Sequence, residues 1–208
     1  HVAVSEHKKA ALYALDYPEI YRIAQPATAG NHAGYTVAHA AVEHFESAAL
    51  YALHFPLVYR LRQHVSAPGR SGWTVAHTAV WNHEKAALEA LKDPNVYYLA
   101  LPAEAPQYAG YTVAHFAVMR WPSAARYALA HPTIPGLSNG SGFLVGTLAR
   151  QTLAAPNAAG NPPPETPAEE QQTQPTQAKP AEINDIHQKP GTTPADSATN
   201  STENQIRP

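Results

Sequence analysis

Gly72-Trp73-Thr74-Val75-Ala76-His77-Thr78-Ala79-Val80 decides how this chain is read, because it occurs three times. Copies stand at Gly34-Tyr35-Thr36-Val37-Ala38-His39-Ala40-Ala41-Val42 and at Gly110-Tyr111-Thr112-Val113-Ala114-His115-Phe116-Ala117-Val118. The interval is 38 residues both times. One interval before His39 stands His1, followed by Val2-Ala3-Val4, the second half of the same stretch. A constant period of this size marks a chain built from repeated supersecondary units, each burying its apolar face on the next.

Working outward, the columns that stay constant predict the shape of one unit. Gly34, Gly72 and Gly110 provide a turn, and Thr36, Thr74 and Thr112 two residues later suit a helix N-cap. A first helix is expected over Val37 to His44 and a second, rich in alanine, over Glu46 to Leu53. Ala11, Ala14 and Leu15, with their copies, have the i, i+3, i+4 spacing of one apolar helical stripe. Pro18, Pro56 and Pro94 end that helix and can begin a third short one, since proline fits the first helical turn. About ten irregular residues then lead to the next glycine. Gly142-Phe143-Leu144-Val145-Gly146-Thr147 imitates the stretch, but Thr147 arrives 32 residues after His115. A degenerate last unit is expected to be a C-terminal cap, about 136–154.

The expected fold is therefore all-α: a helical-hairpin solenoid of about four 38-residue repeats over 1–154, with a tail over 155–208. Residues 156–208 hold half of the 20 prolines, no aromatic residue, and 3 Lys+Arg against 7 Asp+Glu. Such a Pro/Thr/Gln-rich acidic tail is expected to be disordered, because it has too little apolar surface to offset ordering entropy. Residues 1–155 carry 11 Lys+Arg against 9 Asp+Glu, so nothing favours a nucleic-acid partner. No apolar run reaches the ~18 residues a membrane span needs, so no membrane partner is expected. There is no cysteine, which removes disulfides and thiolate metal sites. His1 falls in mid-repeat, so at least half a repeat is expected to precede it.

Gly-x-Thr-Val-Ala-His-x-Ala-Val resembles the ankyrin repeat, and most closely its divergent bacterial forms with Thr-Val-Ala-His. The resemblance covers about residues 1–150. Departures are the 38-residue period against about 33, Val37 where the ankyrin motif has proline, and Phe45, His83 and Trp121 where it has an inter-helix glycine. The resemblance implies an L-shaped helical-hairpin stack that binds other proteins and has no catalysis of its own. It also implies that the repeated histidine bonds the turn at the adjacent threonine.

Twelve histidines invite a metal or catalytic reading. His1, His39, His77 and His115 are one column, however, and stacked units lie about 10 Å apart. Zinc needs its nitrogens about 2.0–2.1 Å from a shared ion, so one histidine per unit is expected to be architectural. Gly34, Thr36, His39, Gly72, Thr74, His77, Gly110, Thr112 and His115 form that structural set. No nucleophile motif, phosphate loop or metal motif is present, so no catalytic residue, metal or cofactor is expected. Asn139-Gly140-Ser141 and Asn200-Ser201-Thr202 fit the N-glycosylation pattern, which matters only in a secretory pathway.

The informative columns vary where their neighbours do not. They read Ser5, Glu43, Trp81, Met119, then Glu6, His44, Asn82, Arg120, then His7, Phe45, His83, Trp121. They fall at the end of the first helix, which in ankyrin-like stacks faces the concave surface, and Trp, Met and Arg are enriched at interface centres. Glu43, His44, Trp81, Asn82, Met119 and Arg120, with the loop-edge row Tyr35, Trp73 and Tyr111, are the expected partner-binding residues. The competing reading makes the larger rings packing residues between units short of apolar volume. For Tyr21, Tyr59 and Tyr97 packing is the expectation. The expected function is a monomeric protein-interaction scaffold. A repeat region of a larger enzyme or toxin-like effector is the alternative, and a surface stalk is a third. Both cytoplasm and secretion stay open.

Overall fold

The computed structural model describes residues 1–63, 69–102 and 108–155, all within the compact unit His1–Glu165. The expected tail therefore lies outside the described residues beyond Ala155, and so does Asn200. Twelve α-helices and no strand occur among the described residues. In chain order they are α1 (Val2–Glu6), α2 (Lys8–Asp16), α3 (Pro18–Tyr21), α4 (Val37–His44), α5 (Glu46–Ala52), α6 (Pro56–Tyr59), α7 (Val75–Asn82), α8 (Glu84–Ala90), α9 (Pro94–Tyr97), α10 (Val113–Arg120), α11 (Pro122–Ala130) and α12 (Val145–Ala154).

Local chemistry sets these boundaries. Thr36 and Thr74 are extended, and each hydroxyl accepts the backbone N–H three residues on, at 3.3 Å. That satisfies one of the donors a helix start leaves open. The first helix of each unit stops at a single extended residue: Phe45 (φ −128), His83 (φ −134) or Trp121 (φ −126). Any side chain adopts such angles, which explains why the junction carries no glycine. Proline occupies the first turn of α3, α6, α9 and α11, where its missing N–H costs nothing.

The alanine columns make the inner surface. Ala48, Ala49, Ala86, Ala87, Ala124 and Ala125 are wholly buried, so the paired helices approach closely. Val42, Val80, Val118, Leu91 and Phe116 fill the remaining space, each such side chain contributing about 1.5–3 kcal/mol on burial. α4 packs on α1, α2, α5 and α7; α7 packs on α4, α5, α8 and α10; α10 packs on α7, α8, α11 and α12. Across these contacts Lys85 pairs with Glu46 at 2.9 Å and Ser123 donates to Glu84 at 2.5 Å. Isolated bridges pin the connecting loops: Arg62 with Thr74, Ala100 with Thr112, and Ser138 with Leu144.

The first unit departs from its copies. Tyr59 and Tyr97 are 2% and 3% exposed, as expected, but Tyr21 is 44% exposed. Arg22, directly after it, takes left-handed angles (φ 46). The following loop pairs Ala27 with Tyr35, where the copies pair Gln63 with Trp73 and Leu101 with Tyr111. That two-residue slip leaves Tyr21 lining an apolar groove of about 410 Å³ with Tyr13, Ala10 and Val37. At the other end α12 covers α10 and α11, with Thr147 exposed in the histidine place. Asn139 is buried, and its amide oxygen accepts from the Ser141 and Phe143 N–H groups at 2.9 and 3.1 Å. The glycosylation pattern at Asn139 therefore sits inside a closed turn.

Candidate functional site

Two sets of side chains carry the chemistry: the imidazole row and the variable ends of the first helices. Their fates differ.

His39 shows how the row works. Its Nε2 lies 3.2 Å from the Trp73 carbonyl, which can only accept, so Nε2 carries the proton. Nδ1 is then bare and accepts from the Thr36 hydroxyl at 2.7 Å, while that oxygen accepts the His39 N–H. One ring thus closes the N-cap of its own helix and ties it to the turn of the next unit. His1 reaches the Tyr35 carbonyl at 2.8 Å and His115 the Phe143 carbonyl at 3.1 Å. The His115 bond spans 28 residues and the His39 bond spans 34. This reproduces the six-residue shortening of the last unit. Thr74 and Thr112 bond Nδ1 of His77 and His115 at 2.7 and 2.8 Å. At His77 the second link is looser: Nε2 is buried and meets no partner at bonding geometry, although the Tyr111 carbonyl lies near enough to favour a charged ring.

Burial dominates the electrostatics of the row. It pushes the His39 imidazole down to about 4, against help from the Trp73 carbonyl, and His77 down to about 3. His115 is lowered for the same reason. Such rings stay neutral near pH 7, with one nitrogen protonated and the other occupied. Among the described residues no group of three or more His, Asp or Glu could hold a metal, and no helix is long and apolar enough to cross a membrane.

The expected contact residues divide. Trp73 is 4% exposed, packed edge-to-face on Phe116 (centroids 4.8 Å) and Trp81 (5.7 Å). It is a packing residue, because Phe116 fills the place that Ala40 and Thr78 take in the other units. Glu43 is already paired with Arg70 at 2.7 Å. The same guanidinium donates to the Tyr35 hydroxyl at 2.8 Å and lies 5.9 and 5.3 Å from the Tyr35 and Trp73 rings. Burial, opposed by Arg70, holds the Tyr35 hydroxyl above its ordinary range. Tyr111 is half-buried against His115 and Phe143. His44 is exposed, and Asn82 donates to the Thr78 carbonyl at 2.9 Å.

Arg120 comes together with Trp81 and Trp121 at the ends of α7 and α10, and Met119, beside Arg120 in the chain, is half-buried. The Arg120 guanidinium lies 5.5 Å from the Trp81 ring and 5.4 Å from the Trp121 ring. The Trp121 indole is held by its own N–H donated to the Val80 carbonyl at 2.7 Å, and His83 makes the equivalent bond to Val42 at 2.8 Å. Trp81 is steadied by Trp73 and Phe116. Arg70 and Tyr108 escaped the sequence reading. With His32 they form a column that varies beside a constant aromatic, and that pairing was the available signal.

Comparison of the chain with known protein families, with curated proteins and with solved structures gives no match.

Proposed function

We propose that residues 1–154 form an ankyrin-like repeat solenoid that acts as a protein-interaction scaffold, with no reaction of its own. Its partner lies across the ends of the first helices and the connecting loops. One observation carries this reading. The interface-prone side chains Trp81, Arg120 and Trp121 gather half-buried around one guanidinium, while the imidazoles of His1, His39 and His115 are bonded to the turn of the next unit. Aromatic rings and a guanidinium held rigidly before contact lose little entropy on binding, which is the property of interface hot spots.

Affinity capture with the wild-type chain, the Trp81→Ala/Arg120→Ala variant and a Lys92→Ala control on another face tests it. Captured proteins should be lost with the double variant and kept with the control, while circular dichroism shows both folded. Retention of every captured protein by a folded double variant would remove this face from the function.

A further inference from the structure

Resting on the scaffold reading, we propose that Arg120 is the receptor for a carboxylate side chain, a glutamate or aspartate, of the partner protein. Three features of the structure lead there. The guanidinium sits within 6 Å of two indole rings, each fixed independently. Its Nε is buried and has no hydrogen-bond partner. No carboxylate among the described residues pairs with it, the ion pairs there being Arg70–Glu43, Lys85–Glu46 and Lys92–Glu89.

The chain also holds the completed form of this arrangement. Arg70 lies over two rings, Tyr35 and Trp73, and there a carboxylate closes the cluster: Glu43 at 2.7 Å. Glu43, Trp81 and Met119 share one column. Where Glu43 supplies the anion in one unit, Trp81 and Met119 supply none in the next two, and among the described residues Arg120 meets rings alone. A planar guanidinium can present its two Nη groups to a carboxylate in two parallel N–H bonds, while the enclosed Nε reports the change. Packing against rings has already restricted its rotamers, so an incoming acid pays little further ordering. The two indoles beside it lower the local dielectric, which strengthens the pair.

The test uses the full chain labelled with ¹⁵N-arginine. The probe is a capped decaglutamate peptide, with capped decaglutamine and inorganic phosphate as comparators. The Arg120 Nε–H cross-peak, assigned through Arg120→Lys, should shift saturably with decaglutamate, together with a change in tryptophan fluorescence. Arg120→Gln should weaken binding at least tenfold, whereas Arg126→Gln, an exposed arginine on α11, should leave it unchanged. Decaglutamine should have no effect. Equal binding by the Arg120→Gln variant would overturn the proposal, and so would an equal shift with phosphate at the same concentration. Glu104 is a carboxylate outside the described residues, and movement of the Arg120 cross-peak in the peptide-free Glu104→Gln variant would also overturn the proposal, because a carboxylate of the chain itself would then serve Arg120. If this test fails but Trp81→Ala/Arg120→Ala still abolishes capture, the scaffold reading stands with an apolar recognition chemistry in place of an ionic one.

Discussion

The hydroxyls of Thr36 and Thr74 each do two jobs. Thr74 Oγ1 accepts the His77 backbone N–H and donates to His77 Nδ1, and both groups are buried. Thr74→Val keeps the shape and removes both bonds, leaving a helix-start N–H and a ring nitrogen unsatisfied. The expected loss is about 1–3 kcal/mol in urea unfolding. Thr147→Val, at the exposed place in the cap, should change stability by less than about 0.5 kcal/mol. An equally small effect at Thr74 would mean that water reaches the row. The motif Thr-x-x-His was plain in the sequence, and the resemblance to ankyrin repeats implied the bond within it. The second bond, from imidazole to the next unit's carbonyl, was not. It depends on how units approach each other, and no spacing within one unit encodes that.

At the scale of the element, the turn before α10 lies close against the loop of the next unit. Gly110 has φ +73, and a Cβ there would run into the Asn139 carbonyl oxygen. Gly140 has φ +80, but a Cβ there would meet nothing. Gly110→Ala should therefore cost clearly more than the ~1 kcal/mol of left-handed strain expected for Gly140→Ala. Amide exchange should show the excess opening at the start of α10 and in the loop around Asn139. Equal losses at the two sites would show that the cap shifts freely to make room. The helices themselves were readable to within a residue or two, since their caps and prolines act locally. Tyr21 was not. It shares a column with Tyr59 and Tyr97, yet the slip of the loop after α3 leaves its ring exposed.

Across the whole molecule the imidazole row makes stability depend on pH. His39, His77 and His115 have lowered pKa values in the folded chain, against an ordinary value of 6.5 once unfolded. Below pH 6.5 the unfolded chain takes up protons that the folded row refuses, so stability falls as pH falls. His39 and His77 each add a slope approaching about 1.4 kcal/mol per pH unit, and His115 acts in the same direction. The loss continues until the folded values are reached, about 4 for His39 and about 3 for His77. Urea melts at pH 7, 6.5, 6, 5.5 and 5 isolate the effect, because carboxylates contribute little in that window. Equal stability from pH 7 to pH 5 would contradict a neutral, buried row.

The division between what the residues announced and what they withheld has one cause. Helix limits, caps and the buried alanine stripe follow from neighbours at most four positions away, and a repeated pattern states them three times over. The roles of the large variable side chains follow from the next unit. Trp73 is buried because Phe116 stands opposite it, and Glu43 is engaged because Arg70 reaches it from a loop 27 residues on. Among the described residues no carboxylate pairs with Arg120, whose ring neighbour Trp81 stands in the column where Glu43 meets Arg70. Burial and pairing are set by contacts between units, and those exist only once the chain has folded.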